Sequence, residues 1–218
     1  MAVLTFPLSL AQFFDLLPVE SLTFEPYEAV ELDETAGGEI LKADLGAALW
    51  QGQLDLSAMS WDEAIDIEPL LNILRRPGAS FFVADPRRPW PRLDPLGTTL
   101  GAANVQIGSL GASARELGFK GLPAGYVLSR GDRFSFAYGA GPTRYALHEL
   151  VAGVVANGAG TTGLVEVSPP LRPGAAVNAA VQLVWPRCKA VLRGGARSGT
   201  SQDVITQDAS MSWVQSLR

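Results

Sequence analysis

The side chains best suited to nucleophilic or acid–base catalysis are scarce in this 218-residue sequence, which contains one histidine and one cysteine. His148 lies in an alternating, strand-like pattern and lacks the second histidine of a His-Glu-x-x-His zinc motif, which favours a structural role over a catalytic base. Cys188 lies between Arg187 and Lys189, whose positive charges stabilise a thiolate. A cysteine packed inside a strand is the simpler interpretation of this position.

Other motifs that carry chemistry are missing from the sequence. One cysteine excludes an internal disulfide, and one histidine with one cysteine cannot supply a zinc site that needs several such ligands from one copy. The glycine-rich run 153–163 has neither the dinucleotide-binding fingerprint nor the lysine of a phosphate-binding loop, so it is predicted to be a turn. We therefore expect no catalytic residues, no cofactor and no metal, and we expect that the protein is not an enzyme.

Carboxylates are concentrated at one end of the chain. Residues 1–70 contain 14 Asp or Glu and one Lys, a net charge of −13, whereas residues 71–218 carry a net charge of +8. One interpretation is an acidic and a basic solvated face; another is that acidic and basic surfaces meet between copies of the chain. A glycosidase-like carboxylate pair needs a defined separation and a cleft, and the sequence specifies neither. The densest acidic run comprises Glu25, Glu28, Glu31, Asp33 and Glu34.

Short strands are expected to position these carboxylates. Apolar and charged residues alternate with a broken period of two before and after Gly37-Gly38, which predicts a hairpin between 20–33 and 39–45. Residues 49–56 alternate again and predict a further strand.

One helix is predicted over residues 60–76. Ser60 and Glu63 have the capping-box spacing, and Pro77-Gly78 ends the helical pattern. Pro69 removes a backbone hydrogen bond, so a kink or two short helical pieces are expected. We expect the helix to pack one apolar face on a β-sandwich that is built from both chain ends, including a strand at 210–215. The residues of that face are Ala64, Ile67, Leu71 and Leu74.

A rigid surface segment is predicted at 86–92, where three prolines and three arginines exclude regular structure. One interpretation is a solvated linker. The other is a peptide presented to a partner, with an aromatic ring and several guanidinium groups as the contact residues. The partner-contact candidates are Arg87, Arg88, Trp90 and Arg92.

The rest of the chain predicts many short strands, because glycines punctuate apolar runs at roughly ten-residue intervals, a spacing typical of a small barrel or sandwich. A net charge of −5 argues against a general nucleic-acid coat. The sequence contains no run of 18 apolar residues, so no transmembrane helix is expected. No basic region precedes the first apolar stretch, so no signal peptide is expected.

Two passages carry a distinctive combination of motifs. The first has the order strand, helix, strand, and the second joins Gly-Asp, Leu-His-Glu and Val-Ser-Pro-Pro-Leu-Arg motifs. Together they resemble distal tail proteins, the tail-tip ring proteins of long-tailed phages and gene transfer agents, over most of residues 50–185. The matching segments are 54–64, 70–75 and 79–86 in the first passage, and 128–136, 147–149 and 166–174 in the second.

This resemblance implies a homohexameric ring that joins the tail tube protein to the baseplate hub protein, with DNA only passing through its channel. The protein would then be assembled in the host cytoplasm and located at the virion tail tip, without membrane insertion. It also implies a mainly β fold: an N-terminal ring-forming belt β-sandwich with one packed helix (1–97 and 186–218), and a peripheral small β-barrel or β-sandwich (98–185) as an insertion.

The channel wall of such a ring should be neutral or acidic, because basic side chains would hold the phosphates of passing DNA. The five carboxylates of the acidic run are therefore the channel-lining candidates. Two alternatives stay open: a carbohydrate-binding β-sandwich in which aromatics such as Trp90 stack on sugars, and an enzyme of unrecognised type that uses N-terminal carboxylates.

Overall fold

The computed structural model describes residues 4–27, 29–194, 196–202 and 204–218, and it is mainly β. Up to residue 84 it contains a short 3-10 turn, one α-helix and seven strands. The turn is Phe14–Leu16, the helix α1 is Trp61–Leu74, and the strands are β1 Val19–Leu22, β2 Glu25–Tyr27, β3 Val30–Glu34, β4 Ile40–Asp44, β5 Leu49–Leu56, β6 Met59–Ser60 and β7 Phe81–Ala84.

Twelve further strands follow in the described part of the chain. They are β8 Gln106–Leu110, β9 Glu116–Lys120, β10 Val127–Leu128, β11 Arg133–Tyr138, β12 Arg144–Leu150, β13 Val154–Val155, β14 Val165–Ser168, β15 Val181–Gln182, β16 Arg187–Leu192, β17 Thr200–Gln202, β18 Ile205–Gln207 and β19 Ser210–Gln215.

Both ends of the chain build the first sheet, which has the order β1-β5-β19-β16-β7, with β2 also paired to β5. The C-terminal strand β19 pairs with β5 on one side and β16 on the other, so the strand predicted at 210–215 joins the N-terminal part of the chain in one sheet. Alternate residues of β19 point inward, and Trp213 is fully buried beside Phe24, with 4.7 Å between the ring centroids. The buried apolar cluster under this sheet is called the first core, and its fully buried members include Leu8, Phe13, Trp50, Leu54, Phe81 and Trp213.

Helix α1 packs on the first core, as its sequence pattern predicts. The Ser60 hydroxyl accepts a hydrogen bond from the Glu63 amide, and the Glu63 carboxylate accepts one from the Ser60 amide, which completes the capping box. The helix is one continuous element through Pro69 rather than two short pieces. The inward face is Ile67, Leu71 and Leu74, which are buried, with Ala64 half-buried beside them.

The second large sheet curls into a barrel with the strand order β15-β11-β12-β14-β9-β8. Its two edges meet where Gln106 bridges to Ala180, and the amide of Ile107 donates to the carbonyl of Ala179 over 3.0 Å. The barrel therefore leaves little unpaired edge. It encloses a second core, whose fully buried members include Ile107, Leu117, Phe119, Leu128 and Phe134.

A hairpin formed by β3 and β4 is a separate two-stranded sheet. The turn at residues 35–39 lies where the two glycines predict it, but residues 19–27 pair with β5 rather than extending the hairpin. The physical reason is Phe24, whose ring is buried between Trp50 and Trp213 and holds this segment on the first sheet. The hairpin itself continues away from that sheet.

Candidate functional site

The first sheet and the barrel meet at a buried ion pair. Asp85, directly after β7, accepts a 2.7 Å hydrogen bond from the guanidinium of Arg133, at the start of β11. It also accepts two 2.9 Å hydrogen bonds from Arg87. Burial would raise the pKa of Asp85, but the Arg87 hydrogen bonds and the charges of Arg133 and Arg87 outweigh it and hold that pKa below its ordinary value. The carboxylate is therefore ionised, and the two guanidinium groups supply its hydrogen bonds and the opposite charge.

Aromatic rings complete the surroundings of Arg133. Its guanidinium lies 4.6 Å from the ring centroid of Phe24 and 4.7 Å from that of Trp50, both of which belong to the first core. The indole of Trp50 in turn donates a 2.7 Å hydrogen bond to the carbonyl of Leu147 on β12. These contacts join the barrel to the first sheet.

The arginine- and proline-rich segment 86–92 has no helix or strand, as predicted, and is bonded to its own chain. Arg87 binds Asp85, Arg88 reaches the Gly131 carbonyl and Glu149, and the amide of Arg92 donates to the Asp132 carboxylate over 2.8 Å. Trp90 is half-buried, and its ring lies so close to Gly97 that a Cβ there would approach it to 2.8 Å. The role of these four candidates in binding a partner stays a prediction.

His148 and Cys188 are both buried. The imidazole Nδ1 of His148 lies 2.7 Å from the Pro169 carbonyl oxygen, and its ring stacks on Phe136 at 5.6 Å. Burial lowers the pKa of His148 to about 4, so the ring is neutral. Burial also raises the pKa of the Cys188 thiol. The two residues lie in different cores, and neither meets a nucleophile or base of the described chain.

The acidic run is divided between two elements. Glu25 lies on β2, at the edge of the first sheet, whereas Glu31, Asp33 and Glu34 lie on β3 of the projecting hairpin, and all four are exposed. Glu28 lies outside the described residues. The described carboxylates therefore form a solvated acidic surface rather than a buried pair in a cleft.

A basic cleft of about 570 Å³ lies at the base of the hairpin. Its walls come from residues 46–48, from the start of β12, from the proline-rich segment 169–173 and from the C-terminal residues, and no acidic side chain of the described residues is among them. Arg172 is half-buried and donates to the Ala48 carbonyl. The side chains that define the basic cleft are Tyr138, Arg144, Leu171, Arg172, Leu217 and Arg218.

Within the described residues, no ion pair joins Arg144 or Arg172 of this cleft to a carboxylate. Burial lowers the pKa of the Arg172 guanidinium and outweighs the opposing effect of Tyr138. Arg144 donates its Nε–H to the carbonyl of Leu217 over 2.9 Å. The cleft can therefore accept an anionic group that brings apolar neighbours, because prolines and leucines line it beside the guanidinium groups.

Sequence reasoning missed the Asp85–Arg133 pair and the basic cleft. The sequence shows Arg133 as the first residue of an apolar strand, and the structure buries it there, but the sequence does not indicate that its partner is Asp85. No signal for the basic cleft could be found, because the cleft joins Ala48 to Arg172, which are 124 positions apart.

Across the described ranges, no group of three or more His, Cys, Asp or Glu side chains is placed to hold a metal ion. No helix in the same ranges has the length and apolar character needed to cross a membrane. A scan against models of known protein families finds no match, and a search among curated proteins finds no relative.

Proposed function

We propose that this protein is a structural subunit of a phage-like tail tip, which forms a ring between the tail tube and the baseplate hub. The observation that carries the proposal is the projecting acidic hairpin β3–β4, on which large aliphatic side chains are more than half exposed. Several such side chains close together indicate a surface that contacts another molecule. The resemblance of the sequence to distal tail proteins supplies the kind of assembly.

The acidic run would serve as the wall of the channel. DNA passes through such a ring without sticking only if few cations face it, since each phosphate held by a Lys or Arg adds affinity. The exposed carboxylates of β2 and β3 supply negative charge to a surface of this kind. The basic remainder of the chain would face outward or meet acidic neighbours, which also accelerates association at low salt.

Mass photometry and negative-stain microscopy of the purified chain test the ring directly. The expected result is a closed particle of six copies with a central hole. A chain that stays monomeric when its concentration is raised 100-fold above that of the first measurement contradicts the ring. Binding of that monomer to a glycan array supports the carbohydrate-binding alternative.

The channel role needs a separate experiment on assembled particles. In particles that still assemble, replacing Glu25, Glu28, Glu31, Asp33 and Glu34 with lysine should slow DNA ejection at low salt, with partial recovery at high salt because salt screens phosphate contacts. The matched control replaces five other exposed carboxylates with lysine, and it should leave the rate unchanged. An unchanged rate in both sets of particles removes the channel role from this run. The control residues are Glu20, Asp62, Asp66, Glu68 and Asp208.

A further inference from the structure

The hairpin β3–β4 exposes apolar side chains on both of its faces. The register pairs Glu34 with Ile40 and Leu32 with Lys42, so Leu32 and Ile40 share one face, while Leu41 lies on the other. Leu32, Ile40 and Leu41 are each more than half exposed. A two-stranded ribbon is marginally stable by itself, and it is stabilised when another surface covers it.

The charge of the hairpin restricts which surface can cover it. Its strands and turn, residues 30–44, carry five carboxylates and one cation, Lys42, a net charge of −4. The carboxylates are Glu31, Asp33, Glu34, Glu39 and Asp44. A complementary surface must therefore combine cationic groups with apolar ones. The basic cleft has this combination, since Arg144 and Arg172 adjoin leucines and prolines there.

We propose that the hairpin of one copy docks into the basic cleft of a second copy of this chain. The proposal rests on the ring of the proposed function, and it names the contact that holds the ring together. The hairpin and the cleft are different surfaces, so the contact is head-to-tail and generates a closed ring when the rotation between copies closes. Glu34, which shares a face of the ribbon with Leu32 and Ile40, then pairs with the half-buried Arg172 guanidinium. Glu31 and Asp33 on the opposite face stay exposed for the channel wall.

The position of the hairpin fits a contact with the next copy rather than with its own cleft. Residues 46–48, which follow β4, form one wall of the cleft, so the base of the hairpin adjoins its own cleft and the turn lies far from it. Five residues of strand span about 17 Å. In a six-fold ring, the distance between equivalent points on neighbouring copies equals the distance of each point from the ring axis. A hairpin that spans about 17 Å from its own cleft to the next cleft therefore places the clefts near the channel.

The first test replaces one exposed aliphatic residue. Leu32→Asp removes an apolar side chain from the face of the ribbon that carries Ile40, and the fraction of chains in rings at 1 µM is expected to fall at least tenfold. The matched control is Leu93→Asp, because Leu32 is 64% exposed and Leu93 is 62% exposed. The control should keep the wild-type ring fraction, and both variants should keep the wild-type melting temperature of the monomer.

The second test traps the contact between two copies. A chain with Ile40→Cys is mixed with a chain with Leu217→Cys and oxidised, and a disulfide-linked dimer of the two chains is expected on a non-reducing gel. Leu96→Cys replaces Ile40→Cys in the control mixture, since Leu96 is exposed outside the hairpin. The native Cys188 is fully buried and does not compete.

The outcomes separate the two proposals. A ring that persists in Leu32→Asp, with no cross-link between Ile40→Cys and Leu217→Cys, overturns the hairpin contact and leaves the ring standing. A wild-type chain that remains monomeric overturns the ring and the contact together. Loss of the ring in Leu32→Asp, combined with the specific cross-link, establishes the contact.

Discussion

The barrel and the first sheet solve the same problem of unpaired strand edges in different ways. The barrel closes on itself between residues 106 and 180, within one continuous stretch of chain. The first sheet stays open and draws its strands from both chain ends, and the hairpin β3–β4 continues beyond it. A closed barrel satisfies its own backbone, whereas an open sheet with a projecting ribbon offers hydrogen-bonding edges and apolar side chains to other chains. At least one side of each assembly contact is therefore expected on the first sheet and its hairpin.

The largest effect is expected from a charge placed in the first core. Leu71→Asp should lower the free energy of unfolding by about 5 kcal/mol, because it removes a buried aliphatic side chain and buries an unpaired carboxylate. Ile65→Asp, on the exposed side of the same helix, should change it by less than about 0.5 kcal/mol. Chemical denaturation followed by circular dichroism measures both values, and equal melting of Leu71→Asp and wild type would contradict the packing of α1.

An intermediate effect is expected at the junction between the two regions. Arg133→Ala leaves the Asp85 carboxylate buried with Arg87 as its remaining partner, and it should lower the free energy of unfolding by about 3 kcal/mol. Arg88→Ala removes an exposed ion pair with Glu149 and should cost about 0–1 kcal/mol.

Calorimetry gives the same experiment a second readout. If the junction couples the two regions, Arg133→Ala should separate the melting of the barrel from that of the first sheet, whereas Arg88→Ala should melt in one step. A single sharp transition in both variants, at the wild-type temperature, would contradict the coupling.

The smallest effect is expected in the barrel and depends on pH. Burial lowers the pKa of His148 to about 4 in the folded chain, whereas an unfolded histidine has a pKa of 6.5. The unfolded chain therefore binds the additional proton as the pH falls through 6.5. This linkage should lower the free energy of unfolding by about 2 kcal/mol between pH 7 and pH 5, with no contribution above pH 7.5.

His148→Gln removes this titration and is the control for it. The difference in unfolding free energy between wild type and His148→Gln should change by the same amount across that pH range. If the unfolding free energies of wild type and His148→Gln change in parallel with pH, the neutral, buried histidine is not the source of the pH dependence.

The elements that depend on local sequence were predictable, and the contacts between them were not. The mainly β class, the capping box of Ser60 and Glu63 and the turn at Gly37-Gly38 all follow from nearby residues, and the structure confirms them. The sequence left open whether Pro69 kinks α1 or divides it into two pieces. The helix stays in one piece because packing of Ile67 and Leu71 on the first core compensates for the lost backbone bond.

The site residues show the same division between local and distant information. An Asp before a proline at the end of β7 has the sequence of an ordinary turn, and nothing nearby indicates that Asp85 pairs with Arg133, 48 positions later. The acidic run was visible at once, but its division between β2 and the hairpin depends on the burial of Phe24 against two tryptophans. Tertiary packing decided these placements.

Strands β7 and β16 are antiparallel neighbours, with Ala84 directly opposite Arg187. The whole barrel is therefore, in topological terms, the connecting loop of a β-hairpin. The entropy lost on closing a loop grows with the logarithm of its length, about 0.6 kcal/mol for each doubling. Modules of quite different size could occupy this position at nearly equal cost to the sheet, provided that each brings a cation to meet Asp85.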